Sequence, residues 1–317
     1  MIQGYLDNPY HNLWHAVDTC QSTFYILHIL DSQDKASPLF VNADFLNPMD
    51  RFVLILSCLG HDLGHPGLTN KLMSDTNSPL SILFNDQSIL ENYHLLNLTI
   101  ILSHVDSLTA GSDLANIYAA KNKELAISII LATDMARHSQ YVDLLRTRAE
   151  ILDRKNANAS GSDYSVPSSK HSSVSWLSSD SFEDKKLLCA LIMKCSDISN
   201  TARPFKISER WAIHFSDEMS NQTKFECSLG LASLLTHDSN SNSNSTLNSN
   251  DGSCENQLVG RNEDCNTATN LSGLSSSQVV FYNTFSIPLF KAAGDLIPAL
   301  SFMYKQSLFN CETWKNM

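Results

Sequence analysis

Apolar residues recur at three- and four-residue spacing along almost the whole chain, and no other feature restricts the fold as strongly. After an Asn8-Pro9 helix start the pattern runs through Trp14, Val17, Phe24 and Leu27. It returns over 49–59, ending near Gly60, and again over 124–137, 185–198, 207–221, 277–296 and 298–308, with Pro288 expected to kink the sixth of these runs. No Asn-Gly or Asp-Gly turn lies between alternating apolar and polar runs, so no hairpin is signalled. The expected fold class is all-α: one compact multi-helix domain spanning 1–317.

Two segments break the pattern. Residues 156–181 and 239–276 are rich in Ser and Asn and nearly free of apolar side chains, too few to offset the entropy lost on ordering. Both are expected to be disordered insertions at the surface of the domain, which loop-closure entropy tolerates. They also explain a charged fraction of 17% against a typical ~25%. A net charge of -11 argues against a nucleic-acid groove or a basic membrane-binding face. No run reaches the ~18 consecutive apolar residues of a membrane span, and the N-terminus lacks the basic and apolar regions of a signal peptide. The eight cysteines contain no Cys-x-x-Cys pair, which disfavours a disulfide framework and a thiolate zinc site. The chain is expected to be cytoplasmic.

Chemistry concentrates in a few His and Asp residues. His11 and His15 are four apart and would share a helix face; alone, such a pair also reads as a solvated surface feature. His61 and Asp62, between Gly60 and Gly64 at a helix end, bring an imidazole and a carboxylate together, and His65 follows. Asp197 ends an apolar helix, where an unpaired buried carboxylate is costly, although a cap or a salt bridge would also satisfy it. His15, His61, Asp62 and Asp197 thus offer two nitrogens and two oxygens to one ion, and Asp62 has a second oxygen for another. Two ions some 3.5–4 Å apart would suit in-line displacement at phosphorus.

With these residues go seven motifs: Tyr10-His11-Asn12-x-x-His15-Ala16, His61-Asp62-x-x-His65-Pro66-Gly67, Leu90-Glu91-Asn92-x-His94, Leu131-Ala132-Thr133-Asp134-Met135, Lys194-Cys195-Ser196-Asp197-Ile198-Ser199-Asn200, Glu209-Arg210-Trp211 and Ser277-Gln278-x-x-Phe281. In this order the chain resembles the catalytic domain of the class I 3′,5′-cyclic nucleotide phosphodiesterases, all-helical metallohydrolases related to the His-Asp phosphohydrolases. The resemblance implies hydrolysis of cAMP, cGMP or both to the 5′-monophosphate in cyclic-nucleotide signalling. It places His15, His61, Asp62 and Asp197 on the metal ligands, with zinc at the first site and magnesium or manganese at the second. His11 falls on the general acid, and Glu218 on the carboxylate that orients it. His65, Glu91, His94, Thr133 and Asp134 fall on groups that support the ligands or hold bound water. Gln278, Phe281, Phe215, Asn200 and Tyr10 fall around the base, where an amide can meet a purine edge and an aromatic face can stack. The stretches 132–138 and 194–200 look most like the cGMP-selective branch.

The sequence also departs from the family. Tyr93 stands where a second His is usual, and Val280 stands where a glycine is usual and is expected to crowd the base. Only ten residues precede His11, where the family domain begins with further helices, so the domain reads as lacking its N-terminal helices. The expected partner is a small cyclic nucleotide; no nucleic acid is expected, and a homodimer is allowed. Two rival readings remain at this stage: a phosphohydrolase of other nucleotides, and a catalytically impaired cyclic-nucleotide binder.

Overall fold

Every regular element of the computed structural model is helical among the residues described, which are 1–32, 45–108, 120–160, 176–178, 181–231 and 271–317. In chain order they are α1 (Leu13–Asp31), α2 (Pro48–Gly60), α3 (Asn70–Asp75), α4 (Pro79–Leu83), α5 (Ile89–Leu108), α6 (Ala120–Leu131), α7 (His138–Ser160), α8 (Phe182–Asp197), α9 (Phe205–Ser228), α10 (Leu271–Phe281), α11 (Ile287–Leu296) and α12 (Ser301–Lys315). Local chemistry explains several starts. Asn47 and Asp50 form a reciprocal capping box ahead of α2, with Pro48 in its first turn. Ser181 caps α8, whose first turn carries Glu183 and Asp184 toward the positive helix end.

The core is built around α8. Every residue from 187 to 196 is buried, so this stretch of the helix has no solvent face. It packs against α1, α2, α6 and α11. Leu191 and Ile192 belong to a cluster that also takes Leu54 of α2, Ile129 of α6 and Phe290 of α11. Removing a leucine from such a position costs about 2–5 kcal/mol. Lys194 is the one charged residue in the buried stretch. Burial pushes its pKa down to about 8. Its Nζ donates to Ala132 O at 2.7 Å and lies 5.3 Å from the Tyr141 ring centroid, which ties α8 to the corner after α6.

Three expectations need correction. First, α1 begins at Leu13, not near Pro9, because Asn12 caps it by accepting from Trp14 N and His15 N. His11 therefore precedes the helix and does not share a helical face with His15. Second, neither polar segment is excluded from the fold throughout. α7 continues to Ser160, and Trp176 and Leu177 are buried in the core cluster, while Ser178 N donates to Asp184 Oδ2. The second segment ends inside α10, where Leu274 and Ser275 are buried. Residues 161–175 and 239–270 lie outside the described residues. Third, the run 277–296 is broken not by a simple kink but by a π-helical turn, Tyr282–Ser286, directly before Pro288 in the first turn of α11. Proline has no N–H and crowds the carbonyl four residues back, so the ordinary ladder cannot pass it. The run 124–137 likewise stops at Leu131, and a separate 3-10 turn, Met135–Arg137, follows.

Candidate active site and metal centre

The end of α8, the end of α2 and the first turn of α1 meet. Asp197 is the last residue of α8, His61 follows α2 directly, and His15 lies one turn into α1 behind its Asn12 cap. Their donor atoms form a tight set. His15 Nε2 is 3.1 Å from Asp197 Oδ1 and 3.4 Å from Asp62 Oδ2; His61 Nε2 is 3.1 Å from Asp62 Oδ2 and 3.3 Å from Asp197 Oδ1. The two Nε2 atoms stand 3.3 Å apart. Neighbouring donors each 2.0–2.2 Å from one ion would stand about 3 Å or a little more apart, so these five separations suit a zinc-sized cation, and His15, His61 and Asp62 lie within 4.8 Å of one another as candidate ligands. Two further observations agree. His61 Nδ1 donates to Cys58 O at 2.8 Å, which leaves Nε2 as a lone pair. Asp62 Oδ2 is buried without a hydrogen-bond donor, a costly state that a cation relieves.

Beside this centre lies a different arrangement. Glu218 of α9, almost fully buried, accepts from Tyr10 N and His11 N through Oε2, each at 2.9 Å. Its Oε1 is 2.5 Å from His11 Nδ1. Burial alone would lower the His11 pKa, but Glu218 and the nearby carboxylates more than offset it, and the net direction is up. Burial likewise pushes Glu218 up, and His11 brings it below the usual carboxylate range. His65 stacks on His11 at 4.0 Å between centroids, and its Nδ1 accepts from Gly67 N. Burial, reinforced by the charge of His11, holds His65 well below the ordinary imidazole value. His11, His65 and Glu218 could also be grouped as cation ligands. Glu218 is already spent on three N–H donors, however, so we read them as an oriented imidazole with its carboxylate.

The remaining predicted residues divide. His94 donates from Nδ1 to Leu63 O and brings Nε2 to 3.9 Å from Asp62 Oδ1, without help from Tyr93. Asp134 accepts from Ser88 Oγ and Ala136 N. Glu91 is buried, its pKa pushed up to about 7 by burial, then by Asp134, and both its oxygens face Asn70 Nδ2. Thr133 is the exception: its hydroxyl donates to Ile130 O within its own turn. A cavity of about 950 Å³ joins these groups; His11, Glu91, Asp134, Asp197, Asn200, Phe215, Gln278 and Phe281 all line it. Asn200 Nδ2 donates to Tyr10 Oη at 3.1 Å, while Asn200 Oδ1 is buried without a partner. Val280, expected to crowd this space, is 63% exposed and does not line the cavity, because the helical turn that carries Gln278 and Phe281 inward carries it outward. The sequence reading missed two asparagines. Asn8 Nδ2 donates to both His11 O and His65 O, and Asn70 holds Glu91 and accepts from Leu90 N. No motif spacing marks either one.

The fold and site together define an all-helical protein with a candidate cation site of His and Asp residues beside an imidazole–carboxylate pair. The sequence profile described as 3′5′-cyclic nucleotide phosphodiesterase matches residues 10–257, and the chain belongs to that family. Among curated proteins it is 29% identical to the 3′,5′-cyclic-nucleotide phosphodiesterase regA of Dictyostelium discoideum, over 71% of this chain and 24% of the relative. It is 26% identical to the cGMP-specific 3′,5′-cGMP phosphodiesterase 3 of the same organism, over 100% of this chain and 54% of the relative. It is 29% identical to the high affinity cAMP-specific and IBMX-insensitive 3′,5′-cyclic phosphodiesterase 8A of Homo sapiens, over 72% and 26%. The chain thus spans between a quarter and about half the length of these relatives. Yeast caPDE2, solved in complex with IBMX, superimposes with a TM-score of 0.65 at 28% identity, over 99% of this chain and 57% of that one. The phosphodiesterase domain of the RhoPDE fusion protein from Salpingoeca rosetta gives 0.69 at 20% identity, over 99% and 80%, which speaks for the fold alone.

Proposed function

We propose that this chain is a phosphodiesterase catalytic domain that hydrolyses 3′,5′-cyclic nucleotides, both cAMP and cGMP, to 5′-monophosphates. One observation carries the reading: the Nε2 atoms of His15 and His61 each lie 3.1–3.4 Å from an oxygen of Asp62 and an oxygen of Asp197, beside the His11–Glu218 pair. The first position suits zinc, and the free side of Asp62 suits magnesium or manganese. Bound there, two divalent cations would supply an activated water and neutralise charge at phosphorus. The chain's own residues do the rest. Glu218 fixes His11 through Nδ1, so that Nε2 carries the proton delivered to O3′ as the P–O3′ bond breaks. Phe281 and Phe215 confine the base, and the Gln278 amide meets its edge. Asn200 lies beside the base, and a side-chain rotation that exposes its amide would let it meet an exocyclic amine through Oδ1 or a carbonyl through Nδ2.

Selectivity is proposed to favour cGMP modestly. The 132–138 and 194–200 segments support that lean, as does the cGMP-specific relative, which matches the whole chain where the other two match 71–72%. The proposed setting is cytoplasmic signalling; separately, no helix among the described residues is long and apolar enough to cross a membrane.

The test is a purified-protein assay with cAMP, cGMP, deoxynucleoside triphosphates and a nitrophenyl phosphomonoester, with and without Mg²⁺ or Mn²⁺. Cation-dependent turnover of the cyclic substrates alone is expected. Turnover confined to non-cyclic nucleotides, or binding without turnover, would overturn the reading. Gln278→Ala should weaken kcat/KM for both cyclic substrates by about 1–3 kcal/mol, the cost of an unsatisfied buried partner.

A further inference from the structure

On one face of α9, Glu218, Gln222 and Glu226 follow at four-residue spacing, and all three are buried, at 1%, 5% and 0% exposure. A buried polar stripe costs free energy unless each group has a partner. Glu218 is used on His11. Gln222 Oε1 accepts from Thr69 N at 2.9 Å, and its Nε2 donates to Thr69 Oγ1 at 3.2 Å and to Glu226 Oε1 at 2.7 Å. Among the described residues Glu226 Oε2 has no hydrogen-bond partner, and Gln222 Nε2 is the side-chain donor that holds this carboxylate. Thr69 caps α3 through Leu72 N. The next residue, Asn70, donates to both oxygens of Glu91 at 3.3 and 3.0 Å and accepts from Leu90 N at 2.8 Å. A partly buried path of polar contacts, joined by the Thr69–Asn70 peptide bond, therefore runs from the helix that orients His11 to the Glu91 carboxylate lining the cavity.

We propose that Gln222 and Glu226 are positioning residues that act through Thr69 and Asn70 to hold Glu91, so that α9 sets both the proton donor and the second cation position. This rests on the phosphodiesterase reading above. Neither residue touches substrate. Outer partners of this kind typically contribute about 10–100-fold in cation affinity or activity.

The measurement is Mn²⁺ titration, by calorimetry or electron paramagnetic resonance without substrate, together with kcat and KM as a function of Mn²⁺. Gln222→Ala is expected to weaken the lower-affinity Mn²⁺ site about 10–100-fold and to lower kcat at limiting Mn²⁺, with KM for the nucleotide changed by less than about threefold. Saturating Mn²⁺ should restore kcat. Glu226→Ala should shift the titration the same way, while Glu226→Gln, whose amide oxygen still accepts from Gln222, should stay near wild type. Gln222→Ala combined with Asn70→Ala should bind Mn²⁺ no more weakly than Asn70→Ala alone, because both break one path. An unchanged Mn²⁺ titration in folded Gln222→Ala and Glu226→Ala, or a kcat loss that Mn²⁺ does not rescue, overturns the proposal. If Gln222→Ala does not fold, the Glu226→Ala and Glu226→Gln pair decides. Because the Mn²⁺ titration needs no turnover, it stands even if wild type hydrolyses no cyclic nucleotide, in which case the function fails and not the relay.

Discussion

With His11 Nδ1 held by Glu218 at 2.5 Å, the imidazole has one nitrogen left for a departing oxygen. His11→Ala should therefore slow cyclic-nucleotide hydrolysis by about 10²–10⁴-fold with cation content unchanged. A nitrophenyl phosphodiester, whose leaving group needs no proton, should lose far less; equal losses would refute the acid role. The cation centre makes a separate prediction. Asp62→Ala and Asp197→Asn should each lower bound metal in elemental analysis while helicity holds, since each removes an ionised oxygen from the set. Full occupancy in either variant would end the assignment. The spacing of His15, His61, Asp62 and Asp197 only permitted their convergence; it was the resemblance to the family's motifs that put them on one site. His11 could not be placed as well. Its position depends on whether Asn8 or Asn12 wins as cap, a local contest that Asn12 decides by accepting from Trp14 N and His15 N. Asn70 and Gln222 were invisible for another reason: their partners are 21 and 153 residues away.

Among the elements, the π-helical turn Tyr282–Ser286 leaves a wall carbonyl in need of a donor, and His138 at the start of α7 supplies it: Nε2 donates to Phe285 O at 3.1 Å. Burial, with the charge of Lys194, pushes the His138 pKa down to about 4, while the bond to Phe285 O opposes. The unfolded chain has a value near ~6.5, so between that and about 4 the unfolded state takes up the proton first. This contribution to stability is present in full above about 6.5 and is lost as pH falls toward about 4. The melting temperature of His138→Gln should therefore fall less steeply than wild type over that interval. Parallel profiles in thermal melts by circular dichroism would exclude the histidine as the titrating group. Helical periodicity announced both α10 and α11, but not how they join. Pro288 advertises a disturbance, whereas its form depends on Tyr282 being buried with its hydroxyl on Thr201 O, far away in sequence. The long α7 escaped notice because its buried stripe, Val142, Leu145, Ala149 and Leu152, is narrow amid charged residues.

Across the whole molecule, the buried α8 runs through the largest hydrophobic cluster among the described residues, and this explains why composition misjudged the segment 156–181. Ser and Asn dominate it, yet Trp176 and Leu177 are buried in the cluster that packs around α8, just ahead of the Ser181 cap. Composition averages over a window, while two apolar side chains suffice to pin a chain end. Trp176→Ala should cost about 3–5 kcal/mol, the usual loss for a buried tryptophan. Trp176→Phe should cost distinctly less. Trp176 Nε1 is buried without an acceptor among the described residues, so phenylalanine gives up packing volume but also removes an unsatisfied donor worth about 1–3 kcal/mol. Replacing residues 161–175 with the same number of Gly and Ser residues should leave stability nearly unchanged, because that stretch is Ser-rich and poor in apolar side chains and the chain length is kept. Urea unfolding of the three variants separates the contributions: the order expected is loop replacement near wild type, then Trp176→Phe, then Trp176→Ala. A loop replacement as damaging as Trp176→Ala would mean that the anchor extends beyond 176–178, and a Trp176→Ala as stable as wild type would remove the anchor altogether.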